Sequence, residues 1–282
     1  MANNKTTIYE PDTLIKKSFI FIFFEIVRDL SKNRWLIYQL FKRDFLAMYK
    51  QTFMGVLWAF IIPLISAGTV LMLNRAGLFT IGDLSVPYAI YAVFGLAFWQ
   101  LFATGLIAST DSLAKAGLMI VKINFSKKAL VIATYAQCLV AFVVQLIFLM
   151  ILFLVYHKFP GIKIFLIPVL AIPLILFSLG ISFIFSLMNV VLRDIGNALA
   201  VIVTFLMFLT PVLYGAPKSG VIANICKYNP LYYLISVPRD FILFGKSDEF
   251  VGFLIFSLLS LLVFVGGFMI FHITETRIAE RI

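Results

Sequence analysis

The sequence predicts an all-α integral membrane protein: six transmembrane helices, an N-terminal amphipathic interface helix, and short re-entrant or gate helices before the last span. Three observations predict it. Of 282 residues, 62% are hydrophobic and only 13% are charged, about half the charged share of a soluble domain. Several apolar runs exceed the roughly 18–20 residues that cross a bilayer. Those runs fill the chain from residue 53 onward, which excludes a soluble domain held by one anchor.

The N-terminal segment, 1–52, begins polar and mixed in charge. It lacks the basic, apolar, small-residue order of a cleaved signal peptide. Residues 19–24 are a six-residue aromatic and aliphatic run, too short to span alone. Over 33–50, Leu36, Ile37, Leu40, Phe41, Phe45 and Met48 fall close to helical spacing, while Arg34, Lys42, Arg43 and Lys50 supply a basic side. A helix of that kind lies in the interface with its apolar face toward the acyl chains.

Hydropathy places the six spans at 53–73, 88–110, 129–156, 165–192, 198–216 and 251–272. The third and fourth exceed what a bilayer requires, which permits tilt. Pro168 and Pro173 predict a kink early in the fourth. Segment 116–128 joins the second and third spans. Segment 217–250 is too apolar for a solvated loop, and Pro217, Pro230 and Pro238 punctuate it. Two short helices that re-enter the membrane or lie on it are expected there, since irregular backbone at that depth needs burial or a wet cavity. The tail, 273–282, follows the last span.

Orientation follows from the basic residues. Nine Lys and Arg fall in 1–52, four in 111–128, one in 193–197 and two after 272, against seven in the opposite loops. That excess puts both termini in the cytoplasm. The net charge of +10 sits beside apolar runs, so it points to orientation and anionic lipid rather than to nucleic acid.

No predicted span holds an interior Asp, Glu, Lys or Arg, and His272 only closes the last one. Proton-coupled carriers place ionisable groups at membrane depth, and acid–base enzymes cluster them. No catalytic residue is therefore expected. Two cysteines, Cys138 and Cys226, give neither a disulfide framework nor a metal spacing. Ions held by backbone carbonyls keep an ion-coupled secondary transporter open as an alternative, although the two halves show none of the repeats that fold uses. Gly245-Lys246-Ser247 ends like a phosphate-binding loop, but Asp240 stands where its first glycine belongs. Energy for uphill movement must come from another subunit.

Residues 40–64 contain Arg43-Asp44, then Tyr49, Thr52, Gly55 and Trp58 at three-residue spacing, then Pro63-Leu64. Arg193-Asp194, Thr210-Pro211-Val212-Leu213-Tyr214, Asn229-Pro230-Leu231 and the ending Glu280-Arg281-Ile282 follow in order. This set resembles the permeases of type-2 ABC transporters that export polysaccharides, and it covers nearly the whole chain. Segment 117–129 resembles their coupling segment, with Lys127-Lys128 where many relatives carry a Pro-Arg-type turn. The resemblance implies a homodimer in a bacterial inner membrane with two cytoplasmic ATPase subunits. ATP and Mg would sit on those partners, with no cofactor on this chain. It implies export of a glycan on undecaprenyl diphosphate. The N-terminal segment and tail favour O-antigen; teichoic acid and capsule are handled by the same fold.

Candidate residues follow. Lys42, Arg43, Lys50 and Arg193 suit the diphosphate head group through charge-assisted hydrogen bonds, and the same residues suit lipid anchoring. Tyr49, Trp58, Tyr91, Trp99, Phe205, Phe208 and Tyr214 could stack on sugar rings along a pore, against the commoner use of aromatics in packing and interface belts. Leu118, Met119, Lys122, Phe125, Lys127 and Lys128 would dock into a groove of the ATPase. Segment 217–250 would gate the path.

Overall fold

The computed structural model describes residues 19–50, 86–117, 125–216, 219–245 and 249–278, with single positions at 61, 65, 68, 69, 72, 76 and 247. The described residues contain helices and no strand. The run 19–24 and the amphipathic stretch after it form one helix, α1 (Phe19–Lys50). Leu40 on α1 is buried, and Leu36, Ile37 and Phe41 pack beside it against the core. Its basic residues Arg28, Arg34, Lys42 and Arg43 face outward.

Helix α2 (Tyr88–Ala116) starts after Pro87 and ends at Gly117. It is buried on nearly every side, as a helix apolar all round must be. Helix α3 (Lys127–Val155) packs along it and also carries α1. A 3-10 turn, Gly161–Leu166, leads into α4 (Ile167–Val191). Pro168 sits in the first turn of α4, where a missing N–H costs nothing, and the helix continues through Pro173. After Leu192 and Arg193 the chain re-enters a helix, α5 (Asp194–Leu209). Two short helices, α6 (Val221–Tyr228) and α7 (Val237–Phe244), follow, with a π-turn at Tyr232–Ser236 before α7. Gly245 closes α7 in the left-handed conformation, φ 77°, which glycine adopts without a Cβ penalty. The last helix is α8 (Phe250–Ile278).

The membrane core is α2, α3, α4 and α8. These four helices are long and apolar enough to cross a bilayer. The first expected span, 53–73, lies outside the described residues. The fifth, expected at 198–216, is corrected: α5 stops at Leu209. Its 16 residues reach only about 24 Å, short of the roughly 30 Å hydrocarbon layer. Thr210 turns extended, φ −110° and ψ 128°, because the Pro211 ring disfavours a helical residue before it. The two short helices expected in 217–250 are present as α6 and α7.

Small residues bring the core helices together. Ser178, Ser182 and Ser186 lie fully buried along α4. Each hydroxyl returns to a carbonyl of its own helix, at 2.9, 2.7 and 2.9 Å, so none of these three is orphaned. The Tyr135 hydroxyl meets Ser178 at 2.5 Å and ties α3 to α4. Gln145 of α3 donates to the side-chain carbonyl of Gln100 on α2. Where α4 crosses α8, Gly180 and Gly267 lie backbone to backbone. A Cβ on Gly180 would sit 2.6 Å from the Val263 carbonyl oxygen. Close approach at small residues is how helices gain contact in lipid, where no hydrophobic force separates helix from solvent.

Candidate functional site

Polar side chains gather at the two ends of this apolar core. At one end Arg239, on α7, has no exposed surface at all. Its Nη1 donates to the carbonyls of Pro211 and Val212, at 3.1 and 2.7 Å. Nε donates to Asp240 at 2.9 Å. The guanidinium stacks over the Tyr91 ring at 3.8 Å, a cation–π contact strengthened by exclusion of water. Nη2 has no hydrogen-bond partner among the described residues.

The bend after α5 is the centre of this cluster. Tyr88 donates to the Leu213 carbonyl at 3.0 Å and Tyr91 to that of Tyr214 at 3.1 Å. Ser236 donates to the Pro211 carbonyl at 3.0 Å, and Asn229 to the Thr210 hydroxyl at 2.9 Å. Residues 210–214 leave helical geometry, so their carbonyls need partners from elsewhere. Arg239, two tyrosines and a serine supply them. Burial pushes the Tyr232 hydroxyl up to about 12, with Glu249 and Asp240 adding to the rise. Burial also raises the Cys226 thiol. Both groups stay neutral at ordinary pH.

At the other end Lys127 and Lys128 open α3. The Lys127 backbone N–H donates to the Glu275 carboxylate at 2.5 Å, and its Nζ donates to the Glu275 backbone carbonyl at 2.9 Å. Lys128 Nζ lies 3.4 Å from the same carboxylate and 2.6 Å from His272 Nδ1. It also sits 5.1 Å from the Phe268 ring centroid. The side chains of Lys128 and Glu275 are only 5% and 15% exposed, so the pair is far less screened than a surface bridge. Nearby, Asn189 donates to Asp111 at 3.1 Å and accepts from the Gly196 N–H at 2.9 Å. Asp111 reaches Lys115 at 3.0 Å. That seam fixes the α4–α5 corner against α2.

The predicted residues divide accordingly. Lys42, Arg43 and Arg193 are exposed, and Arg43 Nε bonds Asp44 at 2.6 Å. Lys50 and Tyr49 lie on α1, with side chains outside the described residues. Trp58, Leu118, Met119 and Lys122 lie outside them altogether. Phe205 and Phe208 are exposed, on one face of α5 with Val201. Tyr214 is half-buried and donates to the Phe208 carbonyl at 2.8 Å. Tyr91 and Trp99 point into the bundle, where Tyr91 carries the guanidinium and Trp99 packs on Phe102, centroids 5.6 Å apart. They offer no free aromatic face. Phe125 is half-buried. Lys127 and Lys128, expected to face a partner, are turned instead into the chain's own last helix.

The sequence reading missed Arg239 and Glu275. A single Arg inside the apolar run 231–244 was the available signal for the first. Nothing local marks Glu275, whose partners lie 148 residues away. Among the described residues no group of three or more His, Cys, Asp or Glu could hold a metal ion.

Residues 36–243 match the family described as ABC-2 type transporter. The chain is 28% identical over 191 residues to the O-antigen export system permease protein RfbA of Myxococcus xanthus, covering 67% of this chain and 72% of that protein. Two proteins of the same description from Klebsiella pneumoniae are 26% and 25% identical over 244 residues. Each alignment covers 84% of this chain and 91% of the relative.

Proposed function

The chain belongs to the ABC-2 type transporter family, and on that footing we propose that it is the permease subunit of an ATP-driven exporter of O-antigen. The observation that carries this reading is the likeness to O-antigen export permeases along 91% of their length. The subunit acts as a homodimer in the bacterial inner membrane, both termini cytoplasmic, beside two ATPase subunits that hold ATP and Mg. Its cargo is a glycan on undecaprenyl diphosphate.

The exposed basic side of α1 supports a reception role. Lys42 and Arg43 stand on the outward face of a helix whose opposite face is packed on α3. That arrangement suits a diphosphate arriving at the cytoplasmic leaflet, because guanidinium and ammonium groups pair with phosphate oxygens. Arg193 adds an exposed charge at the α4–α5 corner, and Lys50 is the further head-group candidate on α1. Segment 116–128 meets the ATPase, and α6 with α7 forms the outer gate.

The test is reconstitution with the candidate ATPase in lipid, with ATP turnover measured with and without undecaprenyl-linked glycan. A stable complex whose turnover responds to the glycan supports the reading. Failure of any ATPase to co-purify sinks it and returns attention to an ion-coupled carrier. Replacing Lys42 and Arg43 with Glu should weaken the glycan response while the complex still assembles.

A further inference from the structure

Helix α8 is continuous from Phe250 to Ile278, and it is fastened at three places. Near its start Gly252 lies against the Tyr233 ring, where any Cβ would collide. One turn on, Phe256 stacks on the same ring, centroids 4.6 Å apart and planes at 18°. Tyr233 belongs to the π-turn that runs into α7, so this end of α8 grips the segment held by Arg239. Near its other end Glu275 and His272 hold Lys127 and Lys128. Between them Gly267 meets Gly180 with no side chain on either.

Distances along the helix follow from a rise of 1.5 Å per residue. Gly267 stands about 12 Å from Glu275 and about 22 Å from Gly252. Beside the crossing the Phe183 ring of α4 lies among those of Phe264, Phe268 and Phe271 on α8, centroids 6.2, 5.5 and 5.2 Å away, so α4 and α8 are interlocked there.

We propose that α8 is the transmission lever of the transporter. The Glu275 carboxylate is its inner joint and Tyr233 is its outer load. Displacement of the coupling segment by the ATPase pulls the first turn of α3. Lys127 and Lys128 carry that pull to Glu275, and α8 delivers it to the gate segment. Glu275 is a positioning residue here, since it touches no cargo. The proposal rests on the exporter reading for its direction of action.

The experiment uses the full complex with its ATPase in lipid nanodiscs, in a Cys138→Ala background. Cys226, buried on α6, then reports opening of the gate segment through its rate of labelling by a maleimide. Adding ATP should change that rate by roughly tenfold, within the usual span of coupling between distant sites. Glu275→Gln keeps an oxygen for the Lys127 N–H and removes the charge. It should bring the ATP effect to within about twofold of none. Co-purification with the ATPase should not change. Lys128→Met attacks the same joint from the opposite side and keeps the test decisive should Glu275→Gln fold poorly. A full ATP effect in Glu275→Gln or in Lys128→Met overturns the lever. Glycan export is measured on the same samples. Export with a Glu275-independent Cys226 response sinks the lever alone. A Glu275-dependent response without O-antigen export sinks the cargo reading alone.

Discussion

Arg239→Ala tests how firmly the α6–α7 segment is held. The side chain makes two bonds to carbonyls and one to Asp240, and it stacks on Tyr91. A hydrogen bond from a charged donor contributes about 1.5–3 kcal/mol, and a water-excluded cation–π contact about 2 kcal/mol. The desolvation of a buried guanidinium costs several kcal/mol in return, and the unpartnered Nη2 adds to that cost. Loss of the Asp240 bond weighs little, because that carboxylate is 28% exposed and regains water. The balance is roughly 3 kcal/mol lost on truncation. Since about 1.4 kcal/mol is tenfold in an equilibrium, opening of the segment should become on the order of 100 times more frequent. Cys226 labelling in the Cys138→Ala background reads that change directly, provided opening is fast relative to reaction. Arg239→Lys keeps the charge but loses the fork, and should fall between, near tenfold faster than the parent. An Arg239→Ala protein that labels within about twofold of the parent would refute this reasoning, because no opening cost of that size could then exist.

Three further outcomes are expected. The folded-state pKa of Cys226 and of Tyr232 is raised, so both groups stabilise the α6–α7 segment fully below their ordinary values. That contribution is lost as pH climbs from about 9, the ordinary thiol range, through about 12 for Tyr232; amide protection at α6 and α7, taken relative to the intrinsic exchange rate at each pH, should fall across that window and stay level below it. Gly267→Ala places a methyl against the backbone of Gly180. It should cost about 1–3 kcal/mol by overpacking, seen as a lower melting temperature in detergent, while Gly266→Ala, which meets nothing within 4 Å, should melt with the parent. Asn189→Ala leaves the buried Gly196 N–H without an acceptor, worth about 1–3 kcal/mol. Asn189→Asp should melt lower still, because it sets a second carboxylate beside Asp111.

The helices of the core were legible because their signal is local. Twenty or more apolar residues in line identify a span without any knowledge of its neighbours, and α2, α3, α4 and α8 lie where hydropathy put them. The amphipathic stretch of α1 was legible for the same reason: Leu36, Leu40 and the basic residues opposite them sit within three turns of each other. The end of α5 was not, although its cause is also local. Pro211 bars helical geometry at Thr210, yet the apolar run passes through both residues, and hydropathy alone carries the helix on to 216.

Partners of the polar residues were illegible for a different reason. A lysine beside a coupling segment looks the same whether it awaits an acidic partner protein or is already bonded within the chain. Lys127 and Lys128 were expected outside for that reason, and only the fold brings Glu275 to them. Arg239 is the sharper case. An arginine in an apolar run is expensive unless its donors are used, so its presence between Pro238 and Asp240 already demanded carbonyls free of helix bonding. The chain offers such carbonyls at Pro211 and Val212, where the proline has broken α5. The bend and the arginine therefore explain each other. An unbroken α5 would leave Arg239 buried with nothing to hold. A neutral residue at 239 would leave the bend with buried carbonyls unpaired. A double substitution that straightens 210–212 and replaces Arg239 with Met should thus cost less than the sum of its parts. Pairing of that kind is what ties α7 to the end of α5.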